Sequence, residues 1–352
     1  MTLLKHDKSK SVLILLAVTL FILIWSSKSG SIFLAPALSF LVLFGIPLYF
    51  VKPMPTYAST GDRLSRYSFV AICTFIFIFL ITPILIIVPL SFNAEPYFTF
   101  TEGMLNFEAN AFSLRWYEDI VHNGMVDPDA VSGWWGDMWN NAQWIRSTRN
   151  SFFIATISAL IATTLGTIAA LGLSRPEMPY RALITSLLIS PMIVPLVITA
   201  TGMFFFYSSI NLAKTYTGVI LAHATLGIPF VIITVTATLS GFDRTLIKAS
   251  QGLGARGWMT FRRVIMPLIM PGMISGALFA FITSLDEVVA VIFIADVEQR
   301  TIPRQMFSGI REQISPTILA VASILVLLSI VLLTVMELLR RRSERMRGIT
   351  PS

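Results

Sequence analysis

The sequence predicts an all-α integral membrane protein of about eight spans, and three observations carry that prediction. The 352 residues are 55% hydrophobic and 13% charged, about half the charged share of an ordinary soluble domain, so most of the surface must face something other than water. Eight apolar runs approach or exceed the about 20 helical residues that cross a hydrocarbon core of about 30 Å. None alternates apolar with polar residues, as the strands of a membrane barrel must. The runs are Ser11 to Trp25, Ser31 to Val51, Tyr67 to Leu90, Ser151 to Leu173, Ala182 to Ser208, Thr217 to Leu239, Met266 to Leu285 and Thr317 to Leu339.

The first two runs form a helical hairpin at 1–60. Lys5, Lys8 and Lys10 precede it in the manner of a signal peptide, but a second apolar run follows almost at once and the pair is read as retained. From Tyr67 onward, six runs make the core. Charge sets the orientation: with the amino terminus inside, 18 of the 26 Lys and Arg fall on cytoplasmic segments, among them Arg175, Arg181, Arg244, Lys248, Arg256, Arg262, Arg263 and Arg340 to Arg342. That positive-inside bias places both termini in the cytoplasm. It also accounts for the formal charge of +7 without a nucleic-acid partner. The single cysteine, Cys73, excludes an internal disulfide and is read as an apolar packing residue.

Three segments between spans are long enough to act. The first, 91–150, is external and acidic, with Glu95, Glu102, Glu108, Glu118, Asp119, Asp127, Asp129 and Asp137 against Arg115, Arg146 and Arg149. Phe112 to Val121 is expected to be an amphipathic helix, and Trp134, Trp135 and Trp139 are expected at the headgroup level. The second, GFDRTLIKASQGLGARGWMTFRRVI from Gly241 to Ile265, faces the cytoplasm. Asp243 caps a helix, Gly252 and Gly254 end it, and a second short helix carries Trp258, Phe261, Arg262 and Arg263 before Pro267 opens the next span. Such a helix-turn-helix suits a cleft on a soluble partner. The third, Ala295 to Pro316, is external and polar without an evident motif; the inner loop SRPEMPYR at 174–181 only reverses the chain.

At the second segment the chain resembles the EAA loop of the permease subunits of ATP-binding-cassette importers. Lys248, Ala249 and Ser250 stand where that pattern has EAA; Gly254 falls on its glycine, Val264 on its isoleucine, Met266 on its leucine and Pro267 on its proline. The spacing is kept, while Lys248 replaces the acid and Ser250 an alanine. The order of SLRWYEDI, NSFFIAT, SPMIVP, AHATLGIPFVIITV, VIMPLIMPG, SLDEVVAVIFI and SPTILAVAS extends the resemblance over about four-fifths of the chain, to PotC-like permeases of spermidine/putrescine importers. The resemblance implies a type I (MetI-like) core at 61–352 and a coupling loop at 241–267, with Phe242, Lys248, Ala249, Gly254, Trp258, Arg262, Arg263 and Pro267 docking a motor. It further implies, as partners, a pair of ATPase subunits that hold ATP and Mg, a second permease and a periplasmic solute-binding protein. It places the chain in a bacterial inner membrane.

The chain has no GxxxxGK[ST] sequence, so it is expected to be a non-enzymatic subunit without cofactor or metal of its own. Asp286 and Glu287 lie at the end of the fifth core helix, where ionisable groups face a cavity or a partner, and they are candidates for the path of a small cationic solute. An opine or amino-acid-like solute is the alternative. Arg304, Arg311 or a second permease could instead pair with the two acids. His223 is expected to make a packing hydrogen bond within its span. An ion-coupled secondary transporter would call for midplane ionisable groups, for which only His223 is available. A membrane sensor would use the external acidic segment to hold its ligand.

Overall fold

The computed structural model describes residues 59–127, 133–175, 177–241, 243, 245–312 and 315–346. The hairpin expected at 1–60 lies almost wholly outside these residues. The chain divides into two units, one ending at Pro89 and one running from Leu90 to Ser352.

The first unit's described part is Ser59 and α1, Thr60–Leu90, up to its last residue but one. Ser59 and Asp62 start it reciprocally: the Ser59 hydroxyl accepts the Asp62 N–H at 3.1 Å, and the Asp62 carboxylate accepts the Ser59 N–H at 3.1 Å. This exchange satisfies two of the amides that a helix start leaves open. Phe69, Phe75, Phe77 and Phe79 are all exposed, as expected of a helix whose solvent is apolar.

The second unit opens with a folded external segment: α2 (Glu102–Leu105), a 3-10 turn at Ala109–Ala111, α3 (Arg115–His122) and α4 (Trp134–Asn141). The amphipathic helix expected at 112–121 is α3. Trp116 is buried there, its indole N–H donating to the Asn93 carbonyl at 2.7 Å. The Thr317 hydroxyl donates to the Asp119 carboxylate and ties α3 to the last helix.

The helices that follow are α5 (Gln143–Leu173), α6 (Arg181–Ile193), α7 (Leu196–Ser209), α8 (Tyr216–Ser240), α9 (Thr245–Gly252), α10 (Gly257–Thr260), α11 (Met266–Asp286), α12 (Val289–Ile294), α13 (Ile302–Glu312) and α14 (Thr317–Met346). α8 is the central element, two-thirds of its apolar window being buried. It packs on α5 and α11 through small residues. A Cβ on Gly227 would stand 2.9 Å from the Ala280 Cβ, and one on Gly276 2.8 Å from the Val231 Cα, so both positions need glycine for the helices to approach. Among the described residues, five helices are long and apolar enough to cross a membrane, or six if the bent pair α6–α7 is one span.

One expectation is corrected and another extended. The run from Ala182 to Ser208 is not one straight span: α6 and α7 meet at 101°. Val194 precedes Pro195, whose ring disfavours a helical residue before it, and Val194 is accordingly extended at φ −69, ψ 138. Pro267 stands in the first turn of α11, as expected, but α11 is continuous with the helix before it. The helix runs from Gly257 to Asp286, passing through a wide π turn at Phe261–Ile265 in which the Met266 N–H reaches back to the Phe261 carbonyl. Proline lacks a donor and its ring crowds the carbonyl four residues back, and the wide turn lets the helix pass it unbroken.

Candidate functional site

The 241–265 loop is built by two terminators and one cross-link. At its start the Asp243 carboxylate accepts the Thr245 hydroxyl at 2.7 Å and the Thr245 N–H at 2.9 Å, the expected cap. Those two bonds, the hydroxyl first, hold the exposed Asp243 carboxyl below the usual carboxylate range. At the far end of α9, Gly254 N–H donates to the Gln251 carbonyl at 2.9 Å and Ala255 N–H to the Ser250 carbonyl at 3.1 Å. This paired pattern needs a left-handed residue, and Gly254 sits at φ +82. Nothing lies within 4 Å of where its Cβ would be, so the glycine is required by the backbone alone and its outer side is open.

The cross-link is Ser250. Its hydroxyl donates to the Ile247 carbonyl at 2.8 Å and lies 3.0 Å from the hydroxyl of buried Thr260, which joins α9 to α10. The serine that departs from the EAA pattern therefore has a structural partner in this chain. Sequence reading missed it because Thr260 is ten residues away, across a turn.

What the loop turns outward is apolar and cationic. Leu253 is 89% and Trp258 71% exposed, with Trp258 and Phe261 in ring contact at 5.6 Å. Lys248, Ala249, Arg262, Arg263 and Pro267 are exposed beside them. Phe242 lies outside the described residues.

Asp286 and Glu287 diverge. Asp286, the last residue of α11, is exposed. Glu287 is buried and its carboxylate accepts the Ala290 N–H at 2.8 Å, capping α12. Arg304 serves the opposite end of that helix, one guanidinium nitrogen donating to the carbonyls of Val291 at 3.2 Å, Ala295 at 2.8 Å and Asp296 at 3.1 Å. An acid at the start and a base at the end both complement the helix dipole. Arg304 therefore binds carbonyls and makes no pair with either acid. One turn before, Ser284 Oγ shares a hydrogen bond of 2.6 Å with His223 Nδ1 between α11 and α8, the packing contact expected of that histidine. Beyond α12, Asp296 pairs with Lys214 at 3.6 Å. The Val297 N–H first, and then Lys214, lower the Asp296 carboxyl.

This corner is fixed to the rest of the bundle by buried polar residues. The Asn150 side-chain amide donates to the carbonyls of Glu298 at 2.6 Å and Arg300 at 3.0 Å, while Tyr216 donates to Asn150 Oδ1 at 3.0 Å. The Ile302 N–H donates to Ser151 Oγ at 2.8 Å. α12 and its polar anchors had no expectation in the sequence, since VVAVIFI reads as a continuation of the apolar span before it.

An all-helical core with a broken third span and a capped, cross-linked loop between its fourth and fifth spans is the architecture of a multi-pass membrane transport permease of the type I, MetI-like class. The chain belongs to the family of binding-protein-dependent transport system inner membrane components, whose model matches residues 162–345. It is similar to the spermidine/putrescine transport system permease protein PotC of Haemophilus influenzae, 28% identical over 76% of this chain and 95% of that protein. To the putrescine transport system permease protein PotI of Escherichia coli K12 it is 29% identical, over 71% of this chain and 82% of that one. Among solved structures, a chain of a bacterial ABC transporter involved in the import of the acidic polysaccharide alginate has the same fold. Its TM-score is 0.59 at 14% identity, covering 80% of this chain and 99% of that one.

Proposed function

We propose that the chain works with an ATP-driven motor to import a small cationic, polyamine-like solute from the periplasm. In this reading both termini and the 241–265 loop face the cytoplasm, and the 91–150 segment is periplasmic. Two ATPase subunits supply ATP and Mg chemistry, a second permease completes the pathway, and a periplasmic solute-binding protein delivers the solute.

The observation that carries the motor role is the loop's construction. Capped by Asp243, turned by Gly254 and cross-linked by Ser250, it holds Leu253, Trp258, Lys248, Arg262 and Arg263 in a fixed outward array. A rigid array can transmit a push to α11, because α10 continues into that helix without a break. The polyamine reading rests on the names of the PotC and PotI relatives, on the acidic external segment, and on Asp286 exposed at the end of α11. Asp286 is the proposed contact for a solute ammonium group, and Glu287 positions α12 beside it.

The tests separate motor from solute. Purification in mild detergent should bring down an ATPase and a second permease; their absence would remove the motor reading. In the assembled complex, Gly254→Trp places a bulky ring in the open space beside the turn and should abolish solute-stimulated ATP hydrolysis and uptake. Unchanged stimulation would show that the loop does not dock the motor. A panel of polyamines, opines and amino acids, read by ATPase stimulation, then tests the solute: stimulation by the opines or amino acids alone would replace the cationic reading.

A further inference from the structure

We infer that α4 is a membrane-surface anchor, with Trp135 and Trp139 seated in the phospholipid headgroup layer at the amino-terminal end of α5. The inference concerns the bilayer and is independent of what the permease carries.

Chain continuity sets the position. α4 ends at Asn141 and α5 starts at Gln143, so the buried Ala142 is all that separates them. Depth follows from α5 itself. Its apolar stretch from Ser151 to Leu173 would measure roughly 34 Å at 1.5 Å per residue, enough to cover a hydrocarbon core of about 30 Å, so the hydrocarbon begins near Ser151. Arg149 lies two residues before that boundary. Its guanidinium sits 5.4 Å from the Trp139 ring centroid and donates to the Trp139 carbonyl at 3.2 Å. Trp139 is thereby held at the level where hydrocarbon gives way to headgroups.

The facing is fixed as well. Trp135 and Trp139, one turn apart, share a face and are 72% and 52% exposed. Below Arg149 on α5, Phe153 and Leu160, within about 40° of it around the helix, are exposed as well. On the other side of α4, Asp137 accepts the backbone N–H groups of Val126 at 3.2 Å and Asp127 at 2.9 Å, which ties that side of the helix to the preceding loop. Trp134 stacks edge-on against Trp135 at 4.5 Å and supports it from behind. An indole presents an apolar ring and one N–H donor, and a guanidinium presents paired donors to phosphate. Together they match a zwitterionic or anionic headgroup layer.

The test uses the full chain in nanodiscs of phosphatidylcholine and phosphatidylglycerol, with Cys73→Ser removing the native thiol. Trp135→Cys or Trp139→Cys then carries an environment-sensitive fluorophore, and Val126→Cys, 83% exposed on the tethered loop, is the comparison site. Labels at 135 and 139 should emit to the blue of the label at 126. A headgroup-attached spin label should quench them most, a bilayer-centre spin label less and aqueous iodide least. Trp135→Cys leaves the Trp139–Arg149 contact in place, so misfolding at position 139 does not remove the test. Water-like emission with full iodide quenching at 135 would overturn the anchor. So would shielding that appears only when a second permease or a solute-binding protein is added, since the face would then be a protein interface. Equal lipid quenching at 126 would overturn the assigned facing.

Discussion

The 241–265 loop and the corner around α12 use charged residues in opposite ways. In the loop, Lys248, Arg262 and Arg263 are turned outward, and rigidity comes from small groups: Asp243 on Thr245, Ser250 on Thr260 and the left-handed Gly254. At the corner, the charges are themselves the structure. Glu287 and Arg304 close the two ends of a six-residue helix that is too short to be stable alone. A charge facing out is available to a partner, whereas a charge bound to buried carbonyls cannot be exchanged without loosening the fold.

That contrast is open to attack from the strongest expected effect downward. Arg304→Met leaves the Ala295 and Asp296 carbonyls without their side-chain donor, the Val291 carbonyl keeping the Ala295 N–H, and should cost roughly 1–2 kcal/mol, seen as a lower unfolding temperature in detergent. A stability matching the parent would mean α12 does not depend on its carboxyl-terminal clamp. Glu287→Ala should cost about 1–2 kcal/mol by opening the Ala290 N–H, while Glu287→Gln keeps an acceptor and should cost less. If Glu287→Gln retains stability but loses uptake, Glu287 acts on the solute as well as on α12.

In the loop the expected stability changes are smaller and the coupling changes larger. Gly254→Ala forces a side chain into the left-handed region and should cost about 1 kcal/mol, whereas Gly254→Asn tolerates that backbone better. Coupling that survives with Asn and weakens with Ala would locate the requirement in the turn; equal loss would locate it in close approach by a partner. Ser250→Ala should cost about 0.5–1 kcal/mol, with Ser250→Thr restoring the cross-link. A double substitution with Thr260→Ala should then add little if the two hydroxyls act together.

The smallest effect is pH-dependent. Because the Asp243 carboxyl is held below its ordinary value, its contribution is present above the unfolded-state pKa and is lost as pH falls through the folded one. Exchange protection of the Thr245 amide should therefore decline on acidification, and Asp243→Asn should flatten that decline.

Much of the loop is legible in its residues alone. Helix starts and stops at Asp243, Gly252 and Gly254 are local events, decided by a cap or a left-handed turn within a few residues, and they lie where their residue types put them. The amphipathic helix at Arg115–His122 is visible for the same reason. Less visible are events in which two local rules compete. Pro195 breaks its helix by 101° while Pro267 is carried through on a π turn, although each is a proline in an apolar run. What separates them is whether the preceding turn can widen and whether the residue before the ring becomes extended.

The sequence by itself determined an all-helical membrane chain, the place and turn of its 241–265 loop, and the family whose markers it carries. These follow from hydropathy, charge asymmetry and short-range capping, which act along the chain. Only the tertiary structure decided that Ser250 bonds Thr260, that Arg304 clamps α12 rather than pairing with Asp286 or Glu287, and that Arg149 sits over the Trp139 ring. Each of those contacts spans a turn or a helix pair, and a buried polar group takes whatever partner the packed backbone brings within hydrogen-bond reach.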